Sequence, residues 1–333
     1  MDYSTSRSNK FLAPIIPTFV TSRSILNSSL VPKSIMHRSY FLFNGRDNID
    51  AYLHFFADFS QTTQFTASLH LIHSRFQFSE EENIESVKNL LQKLIDGTPY
   101  FCKSLRSMHI QFASAEVLEM LTRVTSLKEL LFSSPADHVQ PENCQKFLET
   151  FKVPLNFEYL SLCNFKTLRS EHLQALPKYK KLKTLNLQSC SGITDFSFLA
   201  QLENLKSLCL DWANGFDDSQ AQYLEKLVNL ESFRRVSEGR ENPRNETIFT
   251  DRGVSFLGNL KNLTHVNVLG NVRLTNASLI NTFSKLPLLT SLNVTFCSMI
   301  TREAKEKLKK EFGDGFELID APKNPRWAMI YRC

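Results

Sequence analysis

Cysteines are few in this sequence and do not cluster into a recognisable site. There are seven among 333 residues, an odd number, and no two stand in a C-x-x-C arrangement. Zinc sites and disulfide frameworks are built from clustered or evenly numbered cysteines, so neither is expected. We predict free thiols in a reducing compartment. The seven are Cys102, Cys144, Cys163, Cys190, Cys209, Cys297 and Cys333.

Motifs that would identify an enzyme are also missing. The sequence contains no phosphate loop of the form G-x-x-x-x-G-K-[ST] and no H-E-x-x-H metal motif. His70 and His73 stand three apart on a segment predicted to be extended, where they would point to opposite faces. A catalytic triad need not be close in sequence, but nothing here singles out a nucleophile. We therefore expect a non-catalytic protein with no cofactor and no metal.

An excess of positive charge is absent from most of the chain. Residues 1–46 contain six basic side chains and one acid, which equals the formal net charge of +5 for the whole protein. The remaining residues carry 33 basic and 33 acidic side chains. A neutral body lacks the basic footprint with which proteins follow phosphates, so no nucleic-acid partner is expected.

Long apolar runs are absent from residues 1–46 as well, which excludes a membrane span or a continuous secretory signal there. The segment is basic and has nine serines, a composition typical of a mitochondrial transit peptide and also of a disordered tail. Pro14, Pro17 and Pro32 would interrupt a long targeting helix. We expect an intracellular protein, with the cytoplasm favoured and the mitochondrion as the alternative.

One pattern is repeated throughout the second half of the chain: an apolar residue, two variable residues, then apolar, variable, apolar. Clear copies begin at Leu182, Leu205, Leu230, Leu263 and Leu289. Their fourth positions are separated by 23, 25, 33 and 26 residues, which is the spacing of one strand plus one helix or loop. So short a unit buries its apolar face only by stacking on neighbours, so the pattern predicts a solenoid.

Weaker copies of the pattern extend the array toward the N-terminus and bring the prediction to about eight repeats within residues 101–320. They begin at Leu105, Leu127 and Phe157. A closing strand is expected around Leu318, after which two prolines in the tail 321–333 would block further pairing. The 27 phenylalanines are expected to fill the spine of such an array.

Small polar residues occupy the ninth position of three repeats, where a side chain can hydrogen-bond the turning backbone: Cys190, Asn271 and Cys297. Threonines that could cap helices follow, at positions 194, 250, 275 and 301. Segments such as Leu187-Gln-Ser-Cys190-Ser-Gly-Ile193-Thr194-Asp195 resemble the cysteine-containing subfamily of leucine-rich repeats. The resemblance implies an α/β solenoid with a curved parallel sheet on its concave face and helices on its convex face.

That resemblance also implies a protein-protein interaction scaffold, monomeric or part of a hetero-complex. Many members of the subfamily are F-box substrate receptors of ubiquitin ligases, and others are assembly factors. The segment around Pro32, Ile35 and Met36 loosely resembles the start of an F-box, although the usual acidic residue and later Trp are missing. If it were one, these three residues would contact the ligase adaptor. The alternatives to a scaffold are thus a ligase receptor, a mitochondrial assembly factor and a host-directed effector.

Residues 47–100 are predicted to form a capping module for the array. Ser79-Glu-Glu-Glu82 has the spacing of a capping box, and apolar residues from Ile84 to Ile95 form one helical face that ends before Gly97. Terminal units of solenoids differ from the others because one side of them faces water.

Alternation along a strand predicts which residues face a partner. The third, fifth and seventh positions of each repeat should project from the concave sheet, and most of them are small and uncharged. Aromatic residues and arginines carry most of the energy of protein interfaces. The predicted partner-binding residues are Tyr159, Asn186, Asp211, Trp212, Arg234, Arg235, His265, Asn267, Leu269, Asn293 and Phe296.

One repeat departs from the pattern. It is about eight residues longer than its neighbours, and its extra segment, within 237–250, is polar and charged. Arg235 occupies a slot that is apolar elsewhere, so either it pairs with an acid such as Glu238 or Glu241 at the rim, or a bulge gives the slot to Val236. The loop is either a binding element or a tolerated surface insertion.

Overall fold

The computed structural model describes residues 19–20, 39–43, 67–71, 80–97, 105–110, 115–133, 158–237 and 249–320. Within them, twelve strands form one parallel sheet in strict sequence order, each strand bonded to the one before and the one after it. This is an open solenoid sheet, and it confirms the leucine-rich-repeat fold. The strands are β1 (Phe19–Val20), β2 (Ser39–Phe43), β3 (Ala67–Leu71), β4 (Leu105–Ile110), β5 (Glu129–Ser133), β6 (Tyr159–Cys163), β7 (Thr184–Asn186), β8 (Ser207–Cys209), β9 (Ser232–Arg234), β10 (His265–Asn267), β11 (Ser291–Asn293) and β12 (Glu317–Ile319).

Helical segments connect many of these strands. The α-helices are α1 (Glu80–Gly97), α2 (Ala115–Leu121), α3 (Asp251–Ser255), α4 (Asn276–Asn281) and α5 (Arg302–Phe312). The 3-10 helices are Ser170–Leu173, Leu176–Lys178, Ser197–Gln201, Ala221–Lys226, Phe256–Asn259 and Phe283–Lys285. Among the described helices, none combines the length and apolar character needed to cross a membrane.

The predicted helix caps are confirmed at three of four sites. Thr250, Thr275 and Thr301 each accept a hydrogen bond from a backbone N–H in the first turn of the helix that follows. Thr194 does not cap a helix: the segment after it is a 3-10 helix that begins at Ser197, and the Asp195 carboxylate accepts from the Ser197 N–H instead.

A ladder of polar side chains links these caps from one repeat to the next. Asp218 accepts hydrogen bonds from the backbone N–H and the hydroxyl of Thr250, at 2.8 and 2.6 Å. Asp251 holds Thr275 in the same way, at 2.9 and 2.5 Å. Asn276 accepts from the N–H of Thr301 at 2.8 Å. Each cap is therefore fixed by the preceding repeat.

The core lies between the sheet and the helical layer. The first, fourth and sixth positions of the repeats are buried, as at Leu182, Leu185 and Leu187. The predicted phenylalanine spine is present among the described residues: ring centroids lie 5.1 Å apart for Phe196 and Phe216, and 5.9 Å apart for Phe216 and Phe249.

The prediction for the ninth position is confirmed. The buried thiol of Cys190 donates to the carbonyl of Leu162 at 2.7 Å, and that of Cys297 donates to the carbonyl of Val268 at 3.3 Å. Asn271 reaches the corresponding carbonyl of Arg235 at 2.7 Å. Each residue thus ties its turn to the sixth position of the preceding repeat.

The sheet begins before the repeats that the sequence pattern identifies. β1 and β2 lie within 1–46, and β3 lies within 47–100 and pairs in parallel with β4. Helix α1 occupies the predicted segment and extends one residue further, through Gly97, with Leu91, Leu94 and Ile95 buried. The division of the chain at residues 46 and 100 stays a prediction.

Both ends of the chain carry predictions that the structure leaves open. Pro32, Ile35 and Met36 of the F-box hypothesis lie outside the described residues, and so does the tail 321–333. The predicted closing strand is confirmed as β12, which pairs with β11.

Candidate functional site

The register of the sheet aligns equivalent positions of successive repeats in rows. Arg234 on β9 pairs with Asn267 on β10, which pairs with Asn293 on β11. Two positions earlier in each strand, His265 lies between Ser232 and Ser291. Neighbouring strands are about 4.8 Å apart, so a row of three residues spans about 10 Å.

The fifth position of the repeat has a structural role. The side-chain oxygens of Asn186, Asn267 and Asn293 each accept a hydrogen bond from the backbone N–H two residues later, at 3.0, 3.1 and 3.0 Å. This bond satisfies an amide that faces away from the core where the strand ends. An acceptor at the fifth position therefore stabilises the end of each of these strands.

Arg234 occupies the same position and cannot accept a hydrogen bond. Asp211, from the preceding repeat, supplies the acceptor instead, because its Oδ1 accepts from the N–H of Val236 at 2.9 Å. Its Oδ2 accepts from Nε and Nη2 of Arg234, at 3.1 and 2.5 Å. Arg234 thus lacks the side-chain acceptor that Asn provides in other repeats, and Asp211 provides that acceptor in its place.

The two partners of this ion pair differ in how far they are buried. The Asp211 side chain is 1% exposed and that of Arg234 is 29% exposed. Asp211 was predicted to face a partner, but the structure places it beneath the surface as the support of Arg234. Val236 and Thr295, at the same seventh position in their repeats, are also buried. The prediction that the seventh position projects outward therefore does not hold in these repeats.

Arg235 differs from both sequence-based alternatives. Its backbone N–H donates to the carbonyl of Asn267 at 2.9 Å, so the ladder continues without a bulge. The side chain is buried in the slot that is apolar in other repeats and lies away from the rim. Its guanidinium donates to Asn271 Oδ1 at 2.8 Å and to the carbonyl of Phe216 at 3.1 Å. Arg235 is therefore an interior residue and does not line the binding surface.

The guanidinium of Arg235 lies over the ring of Phe249, 5.4 Å from its centroid, where the chain returns from the inserted segment. Within the described residues no carboxylate lies within ion-pair distance of it, and its Nε has no hydrogen-bond partner. Burial lowers the pKa of Arg235 to about 10, so it stays charged at neutral pH. Arg234 forms the ion pair with Asp211, whereas Arg235 has only the longer-range influence of Asp211, Asp217 and Asp218, which acts against the effect of burial on its pKa.

The eighth position has a left-handed backbone in five of the repeats. Its φ values are 63° at Asn164, 58° at Ser189, 55° at Trp212, 75° at Gly270 and 61° at Phe296. Asn and Gly adopt this conformation readily, whereas a bulky side chain there is an outlier. Phe296 is 49% exposed and Trp212 is half-buried. Backbone strain at these two aromatic residues, of which Phe296 is exposed, points to a role outside the fold.

The other predicted residues are spread over the face. His265, Leu269 and Tyr159 are half-buried. Burial lowers the pKa of His265, against the opposite influence of Glu317, so this imidazole is neutral at pH 7. Burial also raises the pKa of Tyr159 to about 12. Tyr159 lies on β6, three strands from Arg234, and Asn186 lies on β7.

The structure therefore gathers part of the predicted set at one end of the sheet. Arg234, His265, Asn267, Asn293 and Leu269 come together on β9 to β11 or just after them. Trp212 and Phe296 lie on either side of them at the carboxyl edge, about 14 Å apart.

The sequence prediction missed one exposed residue of this edge. Met299 is 52% exposed and lies in the same loop as Phe296. It stands outside the strand positions from which the binding face was deduced, so the alternation of side chains could not find it.

The sheet and its repeated turns define a leucine-rich-repeat protein. No protein-family model matches the sequence, and no curated protein matches it significantly. Among solved structures, Rad7 of yeast, in a complex with Elc1, is similar with a TM-score of 0.53 and 15% identity. The match covers 85% of this chain and 73% of that one, and it shows a shared fold.

Two Listeria monocytogenes proteins are more distantly similar. Internalin C2 has a TM-score of 0.41 and 19% identity, over 71% of this chain and 83% of that one. The internalin inlF has a TM-score of 0.45 and 13% identity, over 86% and 72%.

Proposed function

We propose that this protein is a non-catalytic, intracellular scaffold that binds a partner protein on its concave sheet, at the surface formed by β8 to β11 and the loops that follow them. The cytoplasm is the favoured location. Trp212 and Phe296 anchor the partner at the carboxyl edge, and the polar side chains of the sheet orient it.

The observation that carries this proposal is the pair of aromatic residues in a left-handed conformation. Other repeats place Asn, Ser or Gly at the same position, so the fold has no need of a large side chain there. Aromatic side chains are enriched among the residues that dominate the affinity of protein interfaces. The yeast Rad7 structure, which shares this fold, contains a second protein, Elc1.

Affinity purification with quantitative mass spectrometry tests the proposal. The bait is the full chain, compared with the double variant Trp212→Asn, Phe296→Asn, which carries the residue found at Asn164. We expect the variant to lose a partner by about tenfold or more, because hot-spot truncations cost about 2 kcal/mol or more. A variant lacking residues 237–246 tests whether the inserted segment contributes.

The melting temperature of the double variant shows whether a lost partner reflects a lost contact or an unfolded protein. Asn relieves the strain at the eighth position by roughly 1 kcal/mol, so the double variant should melt at or near the wild-type temperature. The matched control is Ile280→Asn, which removes an apolar side chain that is 52% exposed on helix α4. A partner that binds all three proteins equally would refute the proposed surface.

A further inference from the structure

Three methionines lie in the part of the chain that the structure describes, and they differ in exposure. Met299 is 52% exposed, in the loop after β11. Met108 on β4 is fully buried, and Met120 on helix α2 is half-buried against the core. An oxidant must reach the sulfur to react with it, so among these three side chains Met299 should be oxidised first.

The eleventh position of the repeat, which Met299 occupies, needs no large side chain for the fold. Gly192 and Gly215 stand there in two earlier repeats, where a Cβ atom would lie 2.6 Å and 1.9 Å from backbone carbonyl oxygens. The turn that holds Met299 is anchored in the core by the buried side chains of Cys297 and Ile300. A chemical change at the exposed sulfur of Met299 should therefore leave the fold intact.

Met299 shares its turn with Phe296, one of the two proposed anchors for a partner. Both side chains are about half exposed, at 52% and 49%, so this end of the carboxyl edge presents two apolar groups within four residues. The flexible thioether of methionine adapts to the shape of a partner and makes favourable contacts with aromatic rings. Met299 is thus suited to extend the contact that Phe296 makes.

The cysteine thiols at this end of the sheet are poor competitors for an oxidant. Thiols react as thiolates, whereas a thioether reacts without losing a proton. Burial raises the pKa of the Cys209 thiol, and burial raises the pKa of Cys297 to about 12. Both thiols are therefore protonated at neutral pH and should react slowly.

We propose that reversible oxidation of Met299 regulates partner binding at the carboxyl edge. Hydrogen peroxide transfers one oxygen atom to the thioether sulfur, which loses two electrons and becomes a sulfoxide, and the second peroxide oxygen leaves as water. The sulfoxide is polar and no longer packs against apolar side chains of the partner. Methionine sulfoxide reductases return the thioether. This inference rests on the proposed function, because it assigns the regulation of the same surface.

Limited treatment of the full chain with hydrogen peroxide tests the chemistry without a partner. Peptide mapping by mass spectrometry follows the sulfoxide at each methionine with time. We expect the sulfoxide to form at Met299 several times faster than at Met108 or Met120, because only its sulfur is widely open to solvent. The melting temperature should stay unchanged while Met299 is being oxidised.

Binding is measured with peptides selected from a phage-displayed library of random 12-residue sequences on the immobilised, unoxidised full chain. The peptides kept are those that the double variant Trp212→Asn, Phe296→Asn no longer binds. The chain is oxidised, freed of peroxide and treated with dithiothreitol, which reverses the oxidation of thiols and leaves the sulfoxide in place. Fluorescence anisotropy should show an affinity lower by about tenfold. Methionine sulfoxide reductases should restore it.

Two substitutions at Met299 separate its oxidation from other damage. Met299→Leu conserves volume and apolar character, so the peptides should bind it about as tightly as the wild type, before and after peroxide treatment. Met299→Gln is polar and should bind about tenfold more weakly without any oxidant. The matched control is Val228→Gln, which changes a side chain that is 54% exposed before β9, at the opposite edge of the sheet. It should bind as the wild type does.

The outcomes separate the two proposals. Oxidation of Met299 that is no faster than that of Met108 and Met120 overturns the regulatory inference and leaves the scaffold proposal intact. An oxidised chain with unchanged affinity does the same, and so does a loss of affinity that persists in Met299→Leu. If no retained peptide depends on Trp212 and Phe296, both proposals fail.

Discussion

A buried arginine in an apolar slot is the most unusual residue of this solenoid. Arg235 bonds to the preceding repeat through the carbonyl of Phe216 and to the following repeat through Asn271, in the turn after β10. Asn271 in turn donates to the Arg235 carbonyl. Asn271 stands at the ninth position, where Cys190 and Cys297 stand in two other repeats. An amide both accepts from a guanidinium and donates to a carbonyl, whereas a thiol is a weak acceptor.

Replacement of Arg235 should therefore depend on what stands at position 271. Arg235→Leu leaves Asn271 Oδ1 and the Phe216 carbonyl without a donor, so we expect the free energy of unfolding to fall by about 2 kcal/mol in urea titrations. Adding Asn271→Cys restores the arrangement of Cys190 and should recover part of that loss.

Asn271→Cys alone completes the cycle and should be destabilising, because the buried guanidinium loses its side-chain acceptor. Strictly additive effects of the two substitutions would contradict this coupling.

The structural roles that the sequence predicts belong to residues whose pattern is repeated, and the roles that it misses depend on contacts between two repeats. Leu185 and Cys190 act within a pattern that repeats, so their burial and bonding could be predicted from any one repeat. Asp211 and Arg234 depend on each other across two repeats, and neither position alone shows the exchange of the acceptor. The left-handed backbone at Trp212 and Phe296 was also hidden, because aromatic residues do not signal a positive φ.

At the scale of elements, the polar ladder on the helical side explains why very short helices hold their place. Helix α3 has five residues and helix α4 has six, too few to be stable by themselves. Asp251 begins α3 and also fixes Thr275, the cap of α4. The order of one helix is thereby linked to the order of the next.

Substitution of Asp251 tests this link. Asp251→Ala removes both bonds to Thr275 and should lower the free energy of unfolding by about 1–3 kcal/mol, since a buried or half-buried donor is left unsatisfied and a cap is loosened. Asp251→Asn retains the geometry of Asn276 with Thr301 and should cost less. Hydrogen exchange at the first amides of α4 gives the local readout: unchanged protection in Asp251→Ala would show that the ladder is not coupling the helices.

At the scale of the whole molecule, the uneven distribution of charge predicts which part of the chain could bind DNA. The body of the chain is neutral, so any affinity for a DNA duplex should come from the basic side chains of residues 1–46 and decline steeply with salt. The variant for this test changes the six basic residues to Gln in the full chain: Arg7, Lys10, Arg23, Lys33, Arg38 and Arg46. Gel-shift titration of the variant should show no complex at a salt concentration where the wild type forms one, and an undiminished complex would place a nucleic-acid surface on the solenoid.

Because Asp211 supplies the acceptor that Arg234 lacks, the repeats of β8 and β9 can be duplicated or moved in evolution only as a pair. A repeat with its own Asn at the fifth position can be duplicated, deleted or grafted without leaving an amide bare at the end of its strand. The repeat of β9 lacks that independence, because its Val236 N–H donates to Asp211, which belongs to the repeat of β8. A recombination junction between those two repeats would leave the Asp211 carboxylate without its arginine and the Val236 N–H without its acceptor. Both repeats must therefore be kept together.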